Sequence, residues 1–203
     1  FANEEMRHTM MITNVTDTGF QTALEDGDMW FHSDQCYYEV PCRASTLYAM
    51  EIPKNGGNTL FANCYTAWET LPDKIRERLD GLKARNIYDY AGNPLKRGDN
   101  IDPNAPQFIH PIARTHHETG RKALYVNRLM TDLIEGLKKE ESDEILELLF
   151  KHSEDTEFVY EHVWRVGDLV MWDNRCSMHA RTYFDPGERR MMRRVTVKGE
   201  KVR

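Results

Sequence analysis

The chain has 203 residues, of which 40% are hydrophobic and 10% aromatic, and its formal net charge is −6. This length suits one domain with a packed core, and the acidic balance argues against nucleic-acid binding, which requires a basic surface. The apolar stretches fall well short of the roughly 20 consecutive residues that a membrane-spanning helix needs.

The N-terminus and the cysteines bear on processing and cellular compartment. The opening "FANEEMRHTM" is too polar for the apolar region of a signal peptide. Because the chain begins with Phe1 rather than methionine, we expect a single domain over 1–203 whose N-terminal segment is missing. The four cysteines show no CxxC spacing, so we expect reduced thiols and a cytoplasmic protein.

The first half of the chain reads as strands followed by one helix. A strand and turn are predicted over 10–19, and β-branched and aromatic residues predict a second strand over 45–53. "KNGGNT" at 54–59 has turn composition. Apolar residues at helical spacing predict a helix over 64–82.

A long loop separates the two halves. Residues 91–107 hold three prolines and few apolar side chains. Loops of this length in compact domains are often lids or mobile segments. We therefore expect a mobile loop here that shields part of a site.

The second half is again rich in strands. One amphipathic helix is predicted over 141–155, with Ser142 as its N-cap. Because strands outnumber helices and do not alternate with them, we expect a mainly β fold, an antiparallel sandwich or barrel with flanking helices. The strands predicted in this half are 109–115, 121–127, 158–164 and 188–198, and residues 165–174 are predicted to form a turn and then a strand.

One short motif places metal-ligand residue types together. In "WFHSDQ", His32 and Asp34 lie two apart, so in a strand their side chains point to the same face. The pair is either part of a metal site or a cross-strand or surface pair. His179, in the distant "WDNRCSMHA", would complete a facial triad of two histidines and one carboxylate, which leaves three metal positions free for substrates.

Clustered arginines near the C-terminus indicate an anionic ligand. "ERRMMRRVTVK" at 188–198 carries five cations in an otherwise acidic protein. A guanidinium offers two parallel donors to a carboxylate. In a strand Arg190 and Arg194 share one face, whereas Arg189 and Arg193 point to the other and are expected to be solvated.

Taken in order, HxD, GGNT, WDNRxxxH and the double-arginine strand resemble the taurine dioxygenase/TfdA family of Fe(II)- and 2-oxoglutarate-dependent dioxygenases. The resemblance runs from about residue 28 to 200. It implies a double-stranded β-helix, the jelly-roll or cupin-like fold. It also implies Fe(II) as the cofactor and 2-oxoglutarate and O2 as cosubstrates, with succinate and CO2 as coproducts.

The resemblance assigns roles residue by residue. It implies that His32, Asp34 and His179 ligate iron. It further implies that Thr59 and Arg190 bind the cosubstrate 2-oxoglutarate.

The substrate contacts implied by the resemblance are Arg194, for an anionic group, and Gln35. Gln35, with Tyr37 and Tyr38 beside it, departs from the small or apolar choices of the taurine enzyme, which places taurine itself in doubt. We expect a small sulfonate or carboxylate, aryloxyalkanoates included, and a homo-oligomer, because relatives commonly associate.

Other residues at family-like positions are expected to be structural. Trp172 and Asp173 would brace the strand that carries His179, and His110 and His116 would support the site without binding metal. The alternatives are a related halogenase, which Asp34 argues against, a metal-dependent hydrolase, and a non-catalytic jelly-roll binding module. Zinc accepts the same triad, but hydrolysis does not explain a cosubstrate arginine.

Overall fold

The computed structural model describes residues 9–15, 29–88 and 102–203. Most of the loop predicted at 91–107 lies outside these ranges. Within them, the three helices are α1 (Cys64–Glu69), α2 (Asp73–Leu79) and α3 (Lys139–Ser153), followed by a 3₁₀ turn at Thr156–Phe158. The strands of the same ranges are β1 (Met10–Thr13), β2 (Met29–His32), β3 (Ala44–Glu51), β4 (Thr59–Asn63), β5 (Lys83–Ile87), β6 (Gln107–Pro111), β7 (Ala113–Thr115), β8 (Lys122–Leu124), β9 (Thr131–Ile134), β10 (Val159–His162), β11 (Leu169–Asp173), β12 (Ser177–Arg181) and β13 (Met191–Val197).

Two four-stranded antiparallel sheets form the centre of the fold. Their strand orders are β1-β13-β3-β11 and β10-β4-β12-β2. Neighbouring strands come from distant parts of the sequence, as in a jelly roll. Apolar side chains from both sheets share one cluster, in which Phe61 of β4 packs beside the buried residues Ile12, Leu47, Ala49, Trp164, Trp172 and Met192.

The helices lie to one side, against the three-stranded sheet β6-β5-β9 and the hairpin β7-β8. Helix α3 buries Leu146, Leu149 and Phe150, which join Trp68 of α1 and Ile134 of β9 in a second core. This layout confirms the expected mainly β fold with flanking helices. None of the helices within the described residues is both long and apolar enough to cross a bilayer.

Three local predictions were wrong. The helix predicted over 64–82 is two helices, because Pro72 lacks an N–H and its backbone is extended at the start of α2. The strand predicted over 109–115 is two strands that part at Ile112, whose N–H bonds to Leu82 O at 3.0 Å instead of a sheet partner.

The third wrong prediction is the cap of the second amphipathic helix. α3 begins at Lys139, and its N-cap is Lys138 rather than Ser142. The hydroxyl of Ser142 is fully buried and accepts the backbone N–H of Ile134 at 2.7 Å. Ser142 therefore ties the helix to β9, a tertiary contact that uses the same oxygen as a cap would.

Candidate active site

The structure brings His32, Asp34 and His179 together. His32 ends β2 and lies directly opposite His179 of β12, while Asp34 sits in the turn after β2. Asp34 Oδ1 lies 3.5 Å from His32 Nε2 and 3.7 Å from His179 Nε2. All three side chains are buried, and their ligand atoms lie within 4.8 Å of one another.

Both histidines direct Nε2 toward Asp34 Oδ1. His32 Nδ1 lies 3.0 Å from Trp30 O, and because a carbonyl can only accept, Nδ1 is the donor in this bond and Nε2 is the nitrogen available to a metal. Within the described residues His179 Nδ1 has no hydrogen-bond partner. Burial, together with His32 and Arg194, lowers the pKa of His179 to about 3, so the ring is neutral near pH 7.

Asp34 is held as a carboxylate with one oxygen free. Ser45 Oγ donates to Oδ2 at 2.6 Å, and the Arg194 guanidinium pairs with the same oxygen. Burial alone would raise the pKa of Asp34, but Arg194 and the two imidazoles outweigh it and hold that pKa well below its usual range. Oδ1 is thus the oxygen left to face both histidines.

A buried amide fixes the backbone of the same aspartate. Asn174, fully buried, accepts the N–H of Asp34 through Oδ1 at 2.8 Å and donates from Nδ2 to the Asp34 carbonyl at 2.9 Å. Its Nδ2 also donates to Cys42 O at 3.0 Å. Asn174 follows β11 directly, so one side chain links the turn before β12 to the turn after β2.

Two imidazole nitrogens and one carboxylate oxygen on three sides of one point are the ligand set of a facial-triad iron site. Atoms bonded at right angles to one ion, at about 2.0–2.2 Å, lie roughly 3 Å apart. The two separations from Asp34 Oδ1, 3.5 and 3.7 Å, exceed this by little, and all three ligand atoms lie within 4.8 Å of one another, so the residues present fit such an ion. The pattern in "WFHSDQ" is therefore one half of a converging site and not a surface pair.

A second group of metal-ligand types, His116, Asp173 and Cys176, also has its ligand atoms within 4.8 Å of one another. Here the ligand atoms of His116 and Asp173 already take part in hydrogen bonds within the protein. Asp173 accepts from Arg175 through both oxygens, at 2.9 and 2.7 Å, and its Oδ2 lies 3.1 Å from His116 Nε2. His116 Nδ1 accepts backbone N–H groups at 3.3 and 3.2 Å. This group braces the turn that leads into β12.

Thr59 and Arg190 lie on neighbouring segments. Thr59 begins β4 and is buried, and its Oγ1 accepts the indole N–H of Trp164 at 2.9 Å. Arg190, also buried, donates from Nε to Gly57 O at 3.1 Å. Gly57 has a φ of +65°, and a Cβ there would lie 2.7 Å from Pro53 Cγ and 3.3 Å from the Arg190 side chain, so glycine permits this close approach.

Arg190 is a buried cation without a carboxylate partner among the described residues. Among the residues that the structure describes, no carboxylate lies within ion-pair distance of it, whereas its neighbour Arg189 pairs with Glu51. Burial and the nearby Arg181 lower the pKa of Arg190 to about 9, which means that the bare charge is costly there. Binding of an anion would offset that cost.

Arg194 and Gln35 lie beside the Asp34 carboxylate. Arg194 contacts Asp34 through its guanidinium, while its buried Nε has no partner within the described ranges. Gln35 directly follows Asp34 and has a φ of +57°, a left-handed conformation that is uncommon for a residue with a side chain. The contact between Arg194 and the Asp34 carboxylate had not been predicted.

Three contributing residues escaped the sequence reasoning. Ser45, Asn174 and Trp164 each bond a predicted site residue. Asn174 lies in the quoted WDN motif, next to two residues that were expected to brace the strand. Ser45 and Trp164 carry no local signal, because their roles depend on strand pairing between distant parts of the chain.

Comparison with known proteins decides the family. A family model described as "Taurine catabolism dioxygenase TauD, TfdA family" matches residues 2–196. The chain belongs to this family. The TauD/TfdA assignment replaces the hydrolase and binding-module alternatives, and the chain is a 2-oxoglutarate-dependent dioxygenase of the non-haem iron type.

The relatives of this TauD/TfdA chain are named for different reactions. Pentalenolactone F synthase of Streptomyces avermitilis is 34% identical, over 97% of this chain and 70% of its own length. The alpha-ketoglutarate-dependent 2,4-dichlorophenoxyacetate dioxygenase of Cupriavidus pinatubonensis is 38% identical, over 83% of this chain and 59% of its own length.

Solved structures confirm the jelly-roll fold. AAD-2, solved in complex with Mn(II) and N-oxalylglycine, superposes with a TM-score of 0.85 at 29% identity, over 96% of this chain and 75% of that protein. A taurine dioxygenase from Burkholderia xenovorans gives a TM-score of 0.80 at 28% identity, over 98% of this chain and 67% of that protein.

Proposed function

We propose that this enzyme binds Fe(II) through His32, Asp34 and His179 and uses 2-oxoglutarate and O2 to hydroxylate a small anionic organic substrate, a sulfonate or carboxylate. Succinate and CO2 would be the coproducts. The observation that carries the proposal is the convergence of three buried ligand atoms, together with a buried arginine, Arg190, for which the described residues supply no carboxylate partner.

The bound iron would supply O2 activation and oxidation of a substrate C–H bond, driven by decarboxylation of 2-oxoglutarate. The protein's own share is positioning and electrostatics. Two neutral imidazoles and one carboxylate leave a ferrous site with a net positive charge, which attracts an anionic chelate. Ser45 and Arg194 hold the far oxygen of Asp34, so its near oxygen stays directed at the metal position.

Arg190 and Thr59 are the proposed cosubstrate residues. Arg190 is a buried guanidinium, and a carboxylate that paired with it would form charge-assisted hydrogen bonds in a dry environment. Thr59 lies two residues after Gly57, whose carbonyl accepts from Arg190, so both donors belong to one corner of the fold. AAD-2 was solved with N-oxalylglycine, a dicarboxylate of the same kind.

Arg194 and Gln35 are the proposed substrate contacts. Names of relatives include 2,4-dichlorophenoxyacetate, phenoxypropionate and sulfonate dioxygenases, and each of these substrates carries an anionic group. Arg194 is beside the metal ligands and retains an unused Nε–H among the described contacts. The rings of Tyr37 and Tyr38, just beyond Gln35 in the sequence, lie 4.6 Å apart between centroids and are tilted by 58° to each other. They would offer an apolar surface to a substrate with an aromatic body.

Two measurements test this function. Fe(II) and 2-oxoglutarate, added to the protein without oxygen, should produce a visible charge-transfer band. A panel of sulfonates, carboxylates and aryloxyalkanoates should then include at least one that stimulates succinate release in air. A protein that binds neither Fe(II) nor 2-oxoglutarate under these conditions would contradict the proposal.

The cosubstrate assignment has its own prediction. Arg190→Gln should raise the half-saturating concentration of 2-oxoglutarate roughly 30-fold or more, because truncating one partner of a buried charge pair costs about 2–5 kcal/mol. Arg189→Gln, an exposed arginine paired with Glu51, is the matched control and should leave it unchanged. Equal values for both variants would place the cosubstrate elsewhere.

A further inference from the structure

The indole of Trp164 determines how the hydroxyl of Thr59 can be used. Trp164 Nε1 lies 2.9 Å from Thr59 Oγ1, and both side chains are buried. An indole N–H can only donate, so Thr59 Oγ1 is the acceptor in this bond. A threonine hydroxyl has one hydrogen of its own, and that hydrogen is therefore free for a second partner.

No acceptor for the Thr59 hydroxyl hydrogen is found in the part of the chain that the structure describes. A carboxylate oxygen is such an acceptor, and it cannot donate in return. The bond from Trp164 occupies one of the two lone pairs of Thr59 Oγ1 and directs the hydroxyl hydrogen away from the indole. That hydrogen is then available to an anion.

The indole is itself held in place from two sides. Its ring packs in the cluster between the sheets with Trp172, Leu47 and Met192. The edge of the His162 ring meets it at a centroid distance of 4.5 Å and an interplanar angle of 83°, and His162 lies opposite Thr59 in the strand register. The donor is thus fixed to the same strand pair that carries the hydroxyl.

We infer that Trp164 is a positioning residue for the cosubstrate: by donating to Thr59 Oγ1, it turns the Thr59 hydroxyl into a hydrogen-bond donor for a carboxylate of 2-oxoglutarate, alongside Arg190. This inference rests on the proposed function. It assigns Trp164 a role in cosubstrate affinity that acts through Thr59 and requires no contact between the indole and the ligand.

A double-mutant cycle tests the inference without turnover. The probe is N-oxalylglycine, and its affinity for the Mn(II)-loaded protein is measured by calorimetry. Trp164→Phe keeps a ring in the core and removes only the N–H, so the affinity should fall about 3- to 10-fold, the loss expected for one hydrogen bond. Thr59→Val should lower it at least as much.

The decisive comparison is Trp164→Phe in the Thr59→Val background. If the indole acts through the hydroxyl, the second substitution should change the affinity less than twofold. The same 3- to 10-fold loss in both backgrounds, or no loss in either, would overturn the inference. Thr59→Ser keeps the hydroxyl and should retain near wild-type affinity.

Two controls separate positioning from general damage. Trp68→Phe alters a buried tryptophan in the other core and should leave the affinity unchanged. In steady state, Trp164→Phe should raise the half-saturating 2-oxoglutarate concentration while kcat stays within twofold, and an unchanged half-saturating concentration with a lowered kcat would overturn the inference.

A further measurement applies if Trp164→Phe does not fold. In the Zn(II)-loaded wild-type protein, the indole N–H resonance of Trp164 should shift when N-oxalylglycine is added. A resonance that stays unmoved while the probe binds would overturn the inference. A wild-type protein that fails to bind the probe at all would instead contradict the proposed function.

Discussion

Two clusters within the described ranges contain a histidine, an aspartate and a third residue that can bind a metal, with their ligand atoms within 4.8 Å of one another. Around Asp34, one carboxylate oxygen is taken by Ser45 and Arg194, and the other faces the Nε2 atoms of His32 and His179. Around Asp173, both oxygens accept from Arg175, and both nitrogens of the neighbouring histidine are already bonded.

The difference teaches that residue types in proximity do not make a metal site. What counts is whether lone pairs remain after the protein's own donors have been satisfied. In the first cluster the hydrogen bonds to Asp34 Oδ2 leave Oδ1 directed at the two histidines. In the second cluster the hydrogen bonds occupy both oxygens of Asp173. The first cluster is therefore the proposed metal site, and the second braces the strand that carries His179.

The largest predicted effect separates the two clusters by metal affinity. His179→Ala should weaken Mn(II) binding more than about 100-fold, because the loss of a ligand exceeds the 10- to 100-fold loss typical of its supporting residues. His116→Ala should change Mn(II) affinity by less than threefold. Titration with Mn(II), followed by electron paramagnetic resonance, measures both. Similar losses in the two variants would erase the distinction.

A smaller effect is predicted for the amide that fixes Asp34. Asn174→Ala removes three hydrogen bonds to backbone groups and should weaken Mn(II) binding about 10- to 100-fold. Asn86→Ala is the matched control, since Asn86 is also fully buried and accepts a hydrogen bond from Thr131 at 2.7 Å.

Both asparagine variants should unfold at lower urea concentrations than the wild type. Only Asn174→Ala should change metal affinity. If Asn86→Ala weakened Mn(II) binding to the same extent, the loss would reflect general loosening of the fold, and the specific link between Asn174 and the aspartate ligand would be rejected.

The smallest effect concerns the second cluster and pH. Burial would raise the pKa of Asp173, but Arg175 and His116 outweigh it and lower the pKa to about 2. A depressed carboxyl pKa stabilises the fold above the unfolded value of about 3.9, and this contribution is lost as the pH falls from about 4 to 2.

Asp173→Asn should therefore remove part of the decline in unfolding free energy between pH 4 and 2. At neutral pH its cost should be no more than about 1 kcal/mol, because the carboxylate is partly exposed and screened. Urea unfolding at a series of pH values, with Mn(II) affinity unchanged, checks this. A variant as acid-sensitive as the wild type would contradict the assignment.

The sequence allowed prediction of those features that depend on residue type and fixed spacing. The mainly β fold and the family followed from strand patterns and from motifs in a constant order. His32 and Asp34 could be singled out by the HxD spacing, although Asp34 lies in the turn after β2 and not in the strand that the spacing argument assumed. The distant His179 could be joined to them only through the family resemblance.

Features that depend on tertiary context could not be predicted. Helical spacing over 64–82 continued across Pro72, where the missing N–H divides the helix. Ser142 has a typical capping side chain, yet its hydroxyl serves a neighbouring strand. Trp164 and Ser45 reach the site only because the two sheets bring distant strands together, and a single sequence does not state that pairing.

The most direct test of the distinction between the clusters is a crystal of the protein soaked in Mn(II) and recorded for anomalous scattering. The account predicts one strong peak bonded to His32 Nε2, Asp34 Oδ1 and His179 Nε2. A peak between His116, Asp173 and Cys176, or an empty position beside Asp34 in a crystal that binds Mn(II) elsewhere, would contradict it.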